Sequence, residues 1–369
     1  MIKAFDYLRG FEKRKEEILA AIDRVLCSGQ LILGPELSAF EAEFAAFTGA
    51  AEAVGVASGT DALELALLAI GVGYDDEVIT VANTAIPTAA AIRSTGAAPR
   101  FVDVEPRTLL MSPENVEAAI TPRTRCLLPV HLYGQPAPMD ALLDVARRHD
   151  LRIIEDCAHA HGATLNNRHV GTLGDIGCFS FYPTKNLGAY GDAGICVTNN
   201  ARLAERLRML RTYGCNETRV AQSHGRNSRL DEIQAAILRI KLADLPESLI
   251  ARRNIAEAYH RGFVESPCQL PPTVDGSVHA YHQFVICCPN RARVTAICDA
   301  HGVGYGIHYP IPLHRMPAFR DVLNQDLTLP VTELAAAEVL SLPLYPELRQ
   351  DEVEDVVSAV RAGLTLEGQ

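Results

Sequence analysis

Ile176-Gly177-Cys178-Phe179-Ser180-Phe181-Tyr182-Pro183-Thr184-Lys185-Asn186-Leu187-Gly188 reads as an apolar strand that delivers a lysine to a turn. Alone, a lysine is most often a solvated surface group. Here Tyr182, Pro183, Asn186 and Leu187 flank it, and Gly188, Gly191 and Gly194 follow, a context that predicts enclosure. A lysine so enclosed, close to a cationic ring, has a lowered pKa and is a better nucleophile and base.

Working outward, six more short apolar runs lie at 53–57, 78–81, 99–104, 125–130, 151–155 and 193–198. Helical patterns over 61–70, 86–95, 112–120 and 139–149 separate most of them. This alternation predicts an α/β domain with a mostly parallel seven-stranded sheet, in which ligands bind at the carboxyl ends of the strands. Lys185, Asp156 and Ser58-Gly59-Thr60 all fall at such ends. Two helices precede the sheet, at 11–25 and 35–47, the second opened by Pro35. A long helix is expected from 230 to 245, ended by Pro246, and another over 250–263. Pro271-Pro272 then introduces apolar runs at 281–287 and 304–309 and helices at 291–301 and 331–340. These suggest a small α+β unit and a division into a large domain, 1–245, and a small one, 246–369.

At 48% hydrophobic and 21% charged, the composition is that of an ordinary globular protein. Charged residues interrupt every apolar run before it can span a bilayer, and the first residues lack a secretory h-region. A cytoplasmic location without membrane partners is therefore expected. A net charge of −11 argues against nucleic acid as a partner, while leaving room for a local cationic pocket. The ten cysteines lack metal-like spacing and read as reduced thiols; Cys157, Cys178 and Cys196 sit where cysteine packs as a small hydrophobe.

Asp156 closes the run Arg152-Ile153-Ile154-Glu155-Asp156. By itself it could be a cap or one half of an ion pair. An amine and a carboxylate at neighbouring strand ends are, however, what pyridoxal 5′-phosphate requires: the lysine holds the cofactor as a Schiff base, and the aspartate keeps its ring nitrogen protonated. Ser58-Gly59-Thr60-Asp61 joins a strand to a helix and offers free amides and hydroxyls to a phosphate, although a plain helix cap looks the same. His159 and His161 resemble a metal pair at first sight but lack partners at suitable spacing, so no metal is expected. His159 is assigned to the cofactor's phenolic oxygen and His161 to packing. Asn227-Ser228-Arg229-Leu230-Asp231 reads locally as an approximate capping box, with Ser228 as cap.

Together these motifs resemble the DegT/DnrJ/StrS family of aminotransferases that act on nucleotide-linked sugars. Further segments carry the likeness: Phe101-Val102-Asp103-Val104, Pro129-Val130-His131-Leu132-Tyr133-Gly134-Gln135, Glu155-Asp156-Cys157-Ala158-His159-Ala160-His161-Gly162-Ala163, Asn227-Ser228-Arg229-Leu230-Asp231-Glu232 and His308-Tyr309-Pro310. The resemblance implies the aspartate-aminotransferase fold (fold type I) and a homodimer with shared active sites. It makes Lys185 and Asp156 the catalytic pair. Thr60, Ser180 and the backbone of Gly59, Thr60 and Asp61 would hold the phosphate, joined by Asn227 from the neighbouring subunit. Position alone nominates Tyr182, Arg229, Tyr309 and His314 as sugar contacts. Family members often have Gln where His159 stands, and an aromatic ring where Ala85 stands.

The implied reaction moves an amino group from an amino-acid donor, L-glutamate, to a keto group of a nucleotide-linked deoxysugar, with C3 favoured over C4. Relatives that replace the lysine by histidine dehydrate instead; Lys185 favours transamination. The alternative is a non-catalytic cofactor-binding regulatory protein of the same fold. A nicotinamide-dependent oxidoreductase is discounted, because the first strand–helix turn lacks Gly-x-Gly-x-x-Gly.

Overall fold

The computed structural model describes residues 1–272, 274–320 and 327–365. Helices α1 (Tyr7–Ser28) and α2 (Pro35–Thr48) precede β1 (Glu52–Val56). Then follow α3 (Gly59–Ala69), β2 (Glu77–Val81), α4 (Ile86–Ser94), β3 (Ala98–Val102), α5 (Pro113–Ala119), β4 (Thr124–Leu127), α6 (Met139–His149) and β5 (Arg152–Asp156). A hairpin, β6 (Thr164–Leu165) and β7 (Arg168–His169), leads to β8 (Ile176–Ser180), β9 (Gly194–Thr198), α7 (Ala201–Leu210) and α8 (Glu232–Phe263). The remainder comprises β10 (Ser277–Val278), β11 (Phe284–Cys287), α9 (Arg291–Ala300), α10 (Pro317–Arg320), α11 (Pro330–Glu338), β12 (Val339–Leu342) and α12 (Gln350–Leu364).

The main sheet has seven strands in the order β1-β9-β8-β5-β4-β2-β3. Strands β8, β5, β4, β2 and β3 run parallel, and β9 lies antiparallel to both β8 and β1. The expected mostly parallel α/β architecture is thus present. Helices cover both faces, so β2 and β9 are buried at every residue, Glu77 at the start of β2 included. Helix α3 begins where Ser58 Oγ accepts the Asp61 amide at 3.1 Å. It then buries Leu65, Ala66 and Leu67 completely. Truncating Leu67 to alanine would cost about 2–5 kcal/mol.

Three expectations need correcting. Helix α8 does not stop at Pro246 but runs 32 residues through it. The proline removes the hydrogen bond to the Leu242 carbonyl, a cost of about 3 kcal/mol. Leu245 and Leu249, buried on either side of it, each return about 1.5–3 kcal/mol. The helix predicted over 331–340 gives way after Glu338 to β12, which pairs antiparallel with β11. The run at 304–309 touches that sheet through a single bridge, Gly306 to Ser341, and forms no strand. Helices α9 and α12 pack with this small sheet around Tyr259, Phe284 and Tyr345, which gives the smaller α+β unit its own core.

Candidate active site

Asp156 ends β5 at the carboxyl edge of the sheet and is 4% exposed. Its Oδ2 accepts Thr88 Oγ1 at 2.9 Å, and its Oδ1 accepts the Ala158 amide at 3.1 Å. Thr88 opens toward Thr84, with the two hydroxyl oxygens 3.1 Å apart. Burial pushes the Asp156 carboxyl above the usual range, against the Ala158 and Thr88 hydrogen bonds and the positive charge of Lys185. A cationic partner would restore its charge.

Lys185 is half-buried on the loop between β8 and β9. Several bonds hold that loop: the Lys185 amide donates to Tyr182 O at 2.8 Å, Asn186 Nδ2 to Ala280 O at 2.9 Å, and the Tyr190 amide to Gln234 Oε1 at 2.9 Å. Desolvation lowers the Lys185 amine to about 8, with Asp156 pulling the other way. His159 is buried, and its Nδ1 accepts the Tyr133 amide at 3.3 Å. That bond places the proton on Nε2, which is free to donate. Desolvation holds this imidazole well below its ordinary pKa, so it stays neutral. His161 packs its ring against Phe179 and Phe181 at centroid distances of 5.3 and 5.5 Å, and burial pushes it down to about 3.

Facing these groups is the β1–α3 turn. A cavity of about 320 Å³ lies between the turn and the strand ends, bordered by Thr60, Ala85, Asp156, His159, Ser180 and Lys185 among others. A Cβ on Gly59 would come within 2.5 Å of Ser180 Cβ, so only glycine allows the turn to sit this close to β8. The Asp61 amide is committed to Ser58, which leaves the Gly59 and Thr60 amides at the start of α3. The Asp61 carboxylate accepts Ser228 Oγ at 2.6 Å, and that same oxygen accepts the Ala57 amide at 3.1 Å. Ser228 therefore caps nothing. Helix α8 starts four residues later, at Glu232, with Asp231 at its cap position and no side-chain cap bond.

The structure gathers Gly59, Thr60, Asp156, His159, Ser180, Tyr182 and Lys185 around this one cavity. Tyr182 stands at the mouth, 52% exposed. Tyr309 is half-buried, and burial first, then the nearby Asp156 charge, raises its phenol. Asn227 is exposed and Arg229 half-buried on the segment before α8, and neither borders the cavity of its own chain. His314 is buried, with Nε2 on Glu333 Oε1 at 2.9 Å, away from the cavity. Ala85 and Pro87 border the cavity.

Sequence reading missed Thr88 and Asp192, which border the cavity, and Tyr133 and His282, which brace His159. A turn of helix after Ala85 would have pointed to Thr88; the others had no local signal. Among the described residues one group has metal-like proximity: His131, Glu155 and Cys157. Its carboxylate and imidazole atoms are already used. Glu155 accepts His131 Nε2 at 3.0 Å and the amides of Gly171, Leu173 and Gly174 at 2.7–2.8 Å, while His131 Nδ1 accepts the Ala137 amide.

A buried carboxylate, a desolvated lysine, a neutral imidazole with a free donor and a glycine-dependent helix start fit pyridoxal phosphate group by group. Comparison with known proteins agrees. The family model for the DegT/DnrJ/EryC1/StrS aminotransferase family matches residues 12–361. A dTDP-3-amino-3,4,6-trideoxy-alpha-D-glucose transaminase of Micromonospora megalomicea subsp. nigra is 46% identical over 98% of both chains. A pleiotropic regulatory protein of Geobacillus stearothermophilus is 42% identical over 97% of both. The crystal structure of S. venezuelae DesV with a ketimine intermediate superposes with a TM-score of 0.97 at 44% identity, covering 99% of each chain. The chain therefore belongs to the DegT/DnrJ/EryC1/StrS aminotransferase family and is a pyridoxal-phosphate-dependent transaminase.

Proposed function

We propose that the chain transfers an amino group from L-glutamate to the C3 keto group of a nucleotide-linked deoxysugar, acting in the cytoplasm as a homodimer. The observation that carries the C3 reading is the Micromonospora relative, whose name places the amine at C3 and whose match spans nearly the whole chain. Ten cysteines, all free, accord with a reducing compartment. An exposed Asn227 outside its own cavity accords with a second subunit completing the phosphate site.

Pyridoxal phosphate, when bound, supplies the electron sink. Asp156 would hold a proton on its ring nitrogen, and His159 Nε2 would donate to its phenolic oxygen. The Gly59 and Thr60 amides, with the Thr60 and Ser180 hydroxyls, would hold its phosphate. Lys185, with a pKa near 8, is partly unprotonated at neutral pH and would serve as the base that takes the proton from the donor's α-carbon. Tyr182 and Tyr309 are the sugar contacts nearest this machinery. The Geobacillus relative supports one other reading, a non-catalytic regulator; the intact Lys185 and Asp156 speak for catalysis.

The test is a panel of nucleotide-linked 3-keto and 4-keto sugars with glutamate, with products identified by mass and NMR. Amination at C3 is expected. Amination confined to 4-keto sugars overturns the regiochemistry, and a cofactor spectrum indifferent to glutamate favours the regulator.

A further inference from the structure

We propose that a second cavity bordered by Lys185 receives the side-chain carboxylate of the dicarboxylic amino donor, an assignment that rests on the transaminase reading above. This cavity of about 100 Å³ lies between α1, the Lys185 loop, α8 and the segment around Glu347. Lys185 borders both it and the cofactor-sized cavity, which sets the two spaces against one reactive residue.

Its charge is built for an anion. Arg252 is 2% exposed and has no carboxylate partner among the described residues. Its Nη1 is spent on the carbonyls of Tyr281, His282 and Leu344, at 3.1, 3.4 and 3.0 Å. Its Nε is buried without an acceptor, and Nη2 has no acceptor among the described residues. Lys241 bonds Gly188 O and sits 4.8 Å from the Tyr190 ring centre, again with no carboxylate in ion-pair reach among the described residues. Burial lowers both cations, Lys241 to about 8 and Arg252 to about 10, and Glu347 opposes this in each case. Of the acids that border the cavity, Asp244 is paired with Arg14 and Asp6 with Lys3 and Arg9. Glu347 alone faces Arg252, Lys241 and the exposed Lys13, which leaves the cleft net positive.

The cleft has about 100 Å³ of free space, enough for a carboxylate and its methylene. A guanidinium with unspent donors suits a planar carboxylate, and the Lys241 ammonium borders the same cleft.

The experiment compares L-glutamate with its neutral isostere L-glutamine on the holoenzyme, following cofactor absorbance in single half-reactions. The reverse half-reaction of a keto-sugar nucleotide is measured separately. Lys241→Met is the first variant; Arg252→Lys, which keeps the charge but loses the fork, is the second, since Arg252 also ties three carbonyls together. In each, the glutamate-over-glutamine ratio of kcat/KM is expected to fall about tenfold or more, the worth of a charge-assisted hydrogen bond. A ratio that stays put in Lys241→Met overturns the site while leaving transamination standing. So does a loss confined to the keto-sugar half-reaction, which would assign the cations to the diphosphate. A wild-type protein whose cofactor answers to neither glutamate nor keto sugar overturns the transaminase reading and the site with it.

Discussion

Replacing Thr88 by valine should move the acid limb of the pH–rate profile upward. Valine keeps the shape of threonine but deletes the hydroxyl that donates to Asp156 Oδ2 at 2.9 Å. That bond favours the charged carboxylate, in a site where burial already favours the neutral form. A hydrogen bond to a charged group is worth about 1.5–3 kcal/mol, equivalent to about one to two pKa units. Asp156 must be an anion to keep the cofactor ring protonated, so a higher carboxyl pKa removes activity from the acid side first. The assay is kcat/KM for the glutamate half-reaction between pH 5 and 9, with Thr88→Ser as the rescue. The expected result is an acid limb raised by about one to two units in valine and restored in serine. An acid limb that stays in place, in a variant still saturated with cofactor, would refute the argument that Thr88 sets the charge of Asp156.

Other outcomes follow from the same geometry. Glu155→Gln keeps the shape but turns an amide NH2 toward two of the four donors now on the carboxylate, in either orientation. A loss of about 3–5 kcal/mol in urea unfolding is expected, and a loss under 1 kcal/mol would show the network to be dispensable. Gly59→Ala puts a methyl into Ser180, so cofactor affinity should fall tenfold or more by absorbance titration, and the melting temperature should fall as the turn is pushed off β8. In the cofactor-free protein, the unfolded chain binds a proton at Lys185 that the folded chain has released between about pH 8 and the ordinary lysine value. Stability should therefore rise with pH through that window. Lys185→Met removes the slope contributed by this residue, and identical slopes in the two proteins would contradict the lowered amine.

The sheet was legible because strands covered on both faces must be largely apolar, as the parallel Ile176–Ser180 and the antiparallel Gly194–Thr198 are. Lys185 and Asp156 were legible because strand ends are where such sheets place chemistry. Pro246 misled because a local rule was outweighed by burial of Leu245 and Leu249, which sequence alone cannot weigh. Ser228 misled in the same way: a hydroxyl at the right spacing for a cap was taken by Asp61, 167 residues distant in sequence. Residues 339–340 read as the end of a helix because a run this short carries both periods until its partner strand is known. Thr88 and the cations Lys241 and Arg252 were invisible for another reason. Their meaning lies in what they face, and each faces a different segment.

The reversed direction of β9 has a consequence for how the reactive amine is carried. Because Ser180 pairs with Gly194 across the β8–β9 ladder, the segment 181–193 leaves the sheet and re-enters it at the same rung. Lys185 thus rides on a closed hoop with its feet pinned at one point, instead of on a crossover anchored at two distant edges. Such a hoop lets a long side chain swing between positions while the ladder below holds register. It is also a separable part, and exchanging 181–193 between relatives should transplant the setting of the lysine without asking the sheet to move.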